Sequence, residues 1–135
     1  LAVFDRALLV DSPGEEKHML IGVILYNMAL MIHIFAKDSN GLSKALDLYN
    51  ASLESIQNCV FQPPRLLSMA LHNNSGQIHS HNCCIHETGR SLQQLEQLLA
   101  RGQPVSLKPE EYVIFHLNVV LLFQRSQNSS SAPAA

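Results

Sequence analysis

An internal repeat of about 45 residues is the feature that most limits how this chain can fold. One triplet consists of an Asn, an apolar or small residue, and a small residue. It occurs at 27–29, 74–76 and 118–120, at intervals of 47 and 44 residues. A second pattern, an aromatic followed by a small residue and Leu, occurs at 4–8 and 49–53, with a weaker copy at 92–95. A unit of this length cannot bury its apolar face alone, so neighbouring units are expected to stack.

The segments between the turn-forming residues have helical periodicity. They are too long for strands and do not alternate strictly, and Leu42, Ala45, Leu46 and Tyr49 follow the spacing of one helix face. The expected fold class is all-α, with antiparallel helix hairpins stacked as a short α-solenoid. The predicted helices span 2–11, 15–37, 42–60, 65–86, 89–101 and 109–125.

These helices predict one repeat domain over 1–125 and a flexible tail over 126–135, which is rich in Ser, Asn, Ala and Pro. The domain divides into the end of a unit (1–12), two units (15–60 and 65–101) and the start of another (109–125). Because the chain starts at Leu1 and has no signal-peptide pattern, we expect a fragment of a cytoplasmic or other intracellular protein.

Composition argues against several classes of function. The net charge is −2 with 9 basic and 11 acidic residues, so no nucleic-acid partner is expected. Three cysteines are too few for a disulfide scaffold. The six glycines are isolated and no nucleophile-elbow motif occurs, so we expect a chain that is not an enzyme and needs no cofactor.

Large and small residues recur at helical spacing within two predicted hairpins and resemble the tetratricopeptide repeat. The first hairpin offers Leu25, Ala29 and Ile32, then Ala45, Tyr49 and Ser52; the second offers His72, Gly76 and His79, then Thr88, Leu92 and Leu95. The separation of Gly76 and Thr88, 12 residues, is the family's spacing, whereas Ala29 and Ala45 are 16 apart. The turn at 38–41 is therefore interpreted as an insertion of four residues.

The resemblance implies a non-catalytic protein–protein interaction module or scaffold, which holds an extended peptide or a helix in a concave groove. Asn27, Asn74 and Asn118 match the position whose side chain often bonds the backbone of a bound peptide in this family. The alternative is that these asparagines bridge adjacent helices. The same register places further residues in the groove: Tyr26, Leu30, His33, Asn73, Gln77, His81 and Phe115. The Lys and Arg of the family's carboxylate-binding variant are missing from the matching positions, so that specificity is not expected.

A metal-stabilised helical domain is a first alternative. His79, Cys83 and His86 fall on one face of the predicted helix 65–86, and imidazole and thiolate are zinc ligands. A site there would need a further group, such as Cys59 or His116. The competing interpretation, which we favour, is that these residues are packing positions. Metal content after purification would distinguish the two.

A membrane-associated protein is a second alternative, since residues 19–36 carry no charge over 18 positions. We favour a helix buried on nearly all sides, and detergent-free solubility would test this. The last predicted helix would lack a following neighbour, so residues 113–123 are a candidate surface for self-association.

Overall fold

The structure is a computed structural model, which describes residues 2–9 and 16–130. These residues form five α-helices and no strand, as the predicted all-α class requires. The helices are α1 (Lys17–Phe35), α2 (Ser39–Gln57), α3 (Arg65–His81), α4 (Ile85–Leu99) and α5 (Pro109–Ser130).

Close packing divides the chain into two compact units. The first consists of Asp5–Leu71 and is called the 5–71 unit. The second consists of Leu1–Phe4 with His72–Ala135 and is called the 72–135 unit. The division falls within α3.

In the 5–71 unit, α1 and α2 form a hairpin whose backbones approach closely. The Ser52 hydroxyl donates to the carbonyl oxygen of Gly22 at 2.6 Å, and the Ser55 hydroxyl donates to that of His18 at 2.7 Å. Such contacts need a small residue on one helix and a short side chain on the other. Four positions of the repeat pattern are completely buried in this unit: Ala29, Ala45, Tyr49 and Ser52.

The start of α2 corrects the interpretation of residues 38–41 as an inserted turn. Asp38 is the N-cap of α2, and its carboxylate accepts a hydrogen bond from the Gly41 amide at 2.8 Å. An Asp at this position satisfies one of the free amides at a helix start. The extra residues therefore form the cap and first turn of α2, and lengthen the hairpin rather than its loop.

In the 72–135 unit, α3 packs closely against α4 and α5 at Gly76. A Cβ at this position would lie 3.1 Å from Cβ of Ser91 and 3.4 Å from Cδ1 of Leu122. Thr88, Leu92 and Leu95 are buried in the same unit. The small residue of the second repeat thus lies at a helix contact, as the pattern predicted.

The predicted helix over 65–86 is wrong, because α3 ends at His81 and α4 begins at Ile85. Cys83 has a positive φ of 58°. The Cys84 amide donates to the His79 carbonyl at 2.9 Å and the Cys83 amide to the Ser80 carbonyl at 3.2 Å. This is the Schellman pattern, in which a left-handed residue ends the helix and satisfies its last carbonyls.

Because glycine is the usual residue at this position, Cys83→Gly is expected to raise the free energy of unfolding by about 1 kcal/mol. Chemical denaturation measures the change. Cys83→Ala is the matched control: it also removes the exposed thiol but keeps the Cβ that disfavours a positive φ. Equal stabilities of the two variants would contradict the strained helix end.

The N-terminal segment corrects a second prediction. Residues 2–9, expected to begin a helix over 2–11, contain no helix. Exposure alternates along part of the segment: Phe4 is buried and Arg6 and Leu8 are half-buried, whereas Asp5, Ala7 and Leu9 are exposed. This is the pattern of an extended chain with one side against the protein. Residues 10 and 11 lie outside the described residues.

At the other end, α5 continues to Ser130, past its predicted end at residue 125, so the predicted tail is helical over 126–130. Residues 131–135 lie outside the described residues. The apolar side chains of Val113, Leu117 and Val120 on α5 are exposed.

Helix α1 is not buried on nearly all sides, which corrects the favoured interpretation of residues 19–36. Leu20, Ile24, Met28 and Met31 lie three to four residues apart and are 41–59% exposed. In the described part of the chain, α1 is the one helix that is long and apolar enough to cross a membrane. Within its apolar stretch of 18 residues, 33% are buried. Core helices of soluble proteins and signal sequences share this length and composition.

Candidate functional site

In the 72–135 unit, two asparagines hold the main chain of residues 2–4. The amide of Ala2 donates to Oδ1 of Asn118 at 3.0 Å, and Nδ2 of Asn118 donates to the Ala2 carbonyl at 2.6 Å. The amide of Phe4 donates to Oδ1 of Asn74 at 2.9 Å, and Nδ2 of Asn74 donates back to the Phe4 carbonyl at 3.1 Å. Each carboxamide thus satisfies both main-chain groups of one residue.

In the 5–71 unit, Asn27 makes the same pair of bonds with a different residue. The amide of Leu8 donates to Oδ1 of Asn27 at 2.9 Å, and Nδ2 of Asn27 donates to the Leu8 carbonyl at 2.8 Å. In this unit the Tyr26 hydroxyl also donates to the Arg6 carbonyl at 3.2 Å. We call Tyr26 and Asn27 the Asn27 site.

The chemistry of these contacts does not depend on the side chains of the bound residues. A carboxamide carries one acceptor oxygen and two donor hydrogens, so it can pair with the N–H and C=O of the same residue, as a neighbouring strand would. In an extended chain, every second residue presents these groups to the same side. Residues 2 and 4, bonded in the 72–135 unit, follow this period, and so do residues 6 and 8, bonded in the 5–71 unit.

Further amides in the 72–135 unit hold the two asparagines in place. Nδ2 of Asn73 donates to Oδ1 of Asn74 at 2.9 Å, and Nδ2 of Asn118 donates to Oδ1 of Asn73 at 2.8 Å. Asn73 and Gln77 also donate to the Ala2 carbonyl. Asn73, Asn74 and Asn118 are almost completely buried, so their orientation is fixed by this network rather than by water.

Phe4 provides the main side-chain contact of the same segment. Its ring centroid lies 4.9 Å from that of Phe115, with the planes tilted by 33°. Phe4 is 3% exposed and Phe115 is completely buried. We call Asn73, Asn74, Gln77, Phe115 and Asn118 the Asn74/Asn118 site.

Two further predicted groove residues, His33 and Leu30, lie in the 5–71 unit. His33 Nδ1 lies 3.2 Å from the Tyr49 hydroxyl, and the Tyr49 ring lies 6.0 Å from that of Tyr26. Burial lowers the pKa of His33, which favours the neutral form of its ring. Leu30 is buried in this unit.

The sequence pattern singled out these side chains as a peptide groove and gave no indication of the segment of the chain itself that they bond. Asn27, Asn74, Asn118, Tyr26, Asn73 and Gln77 all bond to residues 2–8, and Phe115 contacts Phe4. His81 lies exposed at the end of α3. Residues 2–9 were expected to be helical. The sequence carries one weak sign of an extended conformation, since Phe4 and Leu8 are apolar and lie an even number of residues apart.

The candidate metal ligands are not assembled. The break at Cys83 separates His79 on α3 from His86 on α4, so the single helical face on which they were expected does not exist. Over residues 2–9 and 16–130, no group of three or more His, Cys, Asp or Glu side chains could hold a metal ion. Burial lowers the pKa of His79, opposed by Glu87.

Comparison with known proteins gives no match for this chain, whether against protein-family models, curated proteins or solved structures.

Proposed function

We propose that this chain is a tetratricopeptide-like helical repeat module that binds an extended polypeptide through its main chain, without catalysis. The paired hydrogen bonds of Asn27, Asn74 and Asn118 with single residues of an extended segment carry this proposal. In this proposal residues 2–9 occupy, within the chain itself, the place that a partner's peptide would take.

The recurrence of one side-chain type in one role supports this interpretation. The three asparagines lie 47 and 44 residues apart, and each makes the same two bonds with a main-chain residue. Asn118 also donates to Oδ1 of Asn73 and so bridges α5 and α3, but it makes the pair of main-chain bonds with Ala2 as well. The bonds of Asn27 and Asn74 to the segment 2–9 use both ends of the carboxamide.

The energetics favour a module that is organised before the peptide arrives. A single neutral hydrogen bond contributes only about 0.5–1.5 kcal/mol in exchange with water. Buried amides that are already fixed by Asn73 lose little conformational freedom on binding. Because these bonds are made to the main chain, the affinity that they give does not depend on the side chains of the bound segment.

The test is a selection of octapeptides from a random displayed library. The bait is the full chain carrying Ala2→Pro and Leu8→Pro, because proline removes the two amide donors that Asn118 and Asn27 accept. We expect this bait to enrich peptides that bind with micromolar dissociation constants. Adding Asn27→Ala, Asn74→Ala and Asn118→Ala to the same bait is expected to abolish the enrichment.

The matched control adds three exposed asparagine substitutions to the bait instead: Asn40→Ala, Asn50→Ala and Asn82→Ala. This control should enrich the same peptides as the bait. Circular dichroism verifies that all three proteins keep their helices. A folded bait that enriches no peptide would contradict the proposed function. The asparagines would then serve only to hold residues 2–9 in place within the chain.

Association through an apolar helix face is the second candidate function, favoured by the exposed side chains of Leu20, Ile24, Met28 and Met31 on α1. It includes the membrane-associated alternative, while Val113, Leu117 and Val120 on α5 offer a surface for self-association. Co-flotation with lipid vesicles tests the first, and concentration-dependent sedimentation tests the second.

A further inference from the structure

We infer that the Asn74/Asn118 site selects extended peptides that present an aromatic side chain at the position of Phe4. This inference rests on the proposed function and adds the chemical class of its partner. The partner is an extended segment of another polypeptide with an uncharged aromatic residue, two positions after the residue whose main chain Asn118 holds.

The main-chain bonds set the register of the bound chain. Asn118 fixes residue 2 and Asn74 fixes residue 4 through their amide and carbonyl groups. A chain held at both points has no freedom to slide by one residue, since this would turn its bonding groups away. The side chain of the fourth residue is therefore directed to one place, which is the ring of Phe115.

Among residues 2–5, Phe4 is the one whose side chain is buried, so it is the position at which the site can select a side chain. Phe4 is buried, whereas Val3 is half-buried and Ala2 and Asp5 are exposed. Substitutions at the two exposed positions leave the main-chain bonds and the ring contact in place. Selectivity is therefore concentrated in the fourth residue.

The surroundings of Phe4 favour an aromatic over a charged side chain. The ring separation of 4.9 Å and the tilt of 33° are within the range of favourable aromatic pairs. The groups that bond the main chain of residues 2 and 4 are the neutral amides of Asn73, Asn74, Gln77 and Asn118, which carry no charge. A charge in this position would lose its hydration without gaining an ion pair.

Residues 2–9 then act as a competitor that carries the preferred residue. A tethered segment has an effective concentration in the millimolar range, so a peptide in solution binds the unmodified chain weakly. Weakening the tethered segment should increase the affinity for the same peptide in trans. This gives the inference a direct measurement.

The probe is an acetylated peptide with the sequence of residues 2–9, AVFDRALL, labelled with fluorescein through an added C-terminal lysine. Acetylation keeps the first nitrogen as the single amide donor that Asn118 accepts. Fluorescence anisotropy measures its dissociation constant with the full chain carrying Phe4→Ser. We expect at least tenfold tighter binding to this variant than to the unmodified chain.

Peptide variants then test the selectivity. Replacing the Phe of the peptide by Ala should weaken binding at least tenfold, because the buried aromatic contact with Phe115 is removed. Replacing it by Asp should abolish binding. Replacing the Asp of the peptide by Ala is the matched control and should change the dissociation constant less than threefold, because Asp5 is exposed.

The outcomes separate this inference from the proposed function. Equal binding of the Phe, Ala and Asp peptides would overturn the aromatic selectivity and leave a module that reads only the main chain. No binding of any peptide to the folded Phe4→Ser chain would overturn both. If Phe4→Ser does not fold, Ala2→Pro replaces it, since this variant weakens the tethered segment at Asn118 and keeps Phe4.

Discussion

Asn118→Ala is expected to lower the free energy of unfolding by about 3 kcal/mol and to release residues 2–4 from the 72–135 unit. The side chain is 1% exposed and makes three hydrogen bonds, to the amide and carbonyl of Ala2 and to Oδ1 of Asn73. Each bond is worth about 0.5–1.5 kcal/mol, and any partner left buried and unpaired adds to the cost. Denaturation measures the stability, and hydrogen exchange at the Phe4 amide measures the release.

Asn50→Ala is the matched control for this substitution. Asn50 lies on the exposed side of α2, so its replacement removes the same carboxamide without burying an unpaired group. A change within about 0.5 kcal/mol is expected. If Asn118→Ala were as mild as this control, the amide network would not be holding the segment.

Asn118→Asp separates the donor from the acceptor function of the same side chain. The variant keeps an oxygen for the Ala2 amide but loses the donor to the Ala2 carbonyl and to Asn73. It also buries a carboxylate among acceptors, so the introduced group is expected to have a raised pKa. Its destabilisation at pH 7 should shrink relative to the parent as the pH falls and the carboxyl becomes a donor.

The helix hairpins and the bonding asparagines could be predicted because both follow from recurrence at a fixed spacing. Ala29, Ala45 and Tyr49 are completely buried since the small and large residues of the pattern pack into one another between α1 and α2. Asn74 and Asn118 lie in one unit, where they bond neighbouring residues of one segment. The repeat pattern thus predicted where the asparagines lie but not which residues they bond.

The conformation of residues 2–9 could not be predicted from local periodicity. Phe4, Ala7 and Leu8 fit a helix template, and an isolated reading of these positions favours a helix. Their extended form is instead set by amides that lie 19 to 116 residues away in sequence. Contacts at this range override local preference because they satisfy both main-chain groups of a residue at once.

The break between α3 and α4 was missed for a different reason. Helix ends are usually signalled by Gly, Asn or Pro, and here the left-handed position is filled by Cys83. Without Gly, Asn or Pro at the left-handed position, the spacing of the apolar residues predicts one helix that continues to residue 86. The alternative of a metal site at His79, Cys83 and His86 depended on a continuous helix through these residues, which the break at Cys83 interrupts.

Gly22→Ala is expected to lower the free energy of unfolding by about 2 kcal/mol, the cost of overpacking at a close helix contact. An added Cβ would approach Cγ2 of Ile56 more closely than two carbon atoms can, and would lie 3.6 Å from the Ser52 carbonyl oxygen. Moving α1 away would stretch the 2.6 Å bond from the Ser52 hydroxyl to Gly22. Thermal or chemical denaturation measures the loss.

Gly89→Ala is the matched substitution in α4, where an added Cβ meets no atom within 4 Å. This variant is expected to be more stable by about 0.5–1 kcal/mol, because alanine restricts the unfolded chain and favours the helix. The opposite signs of the two glycine substitutions distinguish a steric contact from helix propensity. A stabilised Gly22→Ala variant would mean that α1 and α2 do not approach as closely as the Ser52 bond requires.

A double-mutant cycle with Ile56→Leu locates the cost in one pair of atoms. Leucine has no Cγ2 branch at its Cβ, and an exchange of this kind alone costs less than about 1.5 kcal/mol. In the Ile56→Leu background, the destabilisation caused by Gly22→Ala should fall by at least half, since the Cγ2 methyl group that the added Cβ would contact is absent. Equal costs in both backgrounds would place the strain elsewhere on the hairpin, with the Ser52 carbonyl the next contact to test.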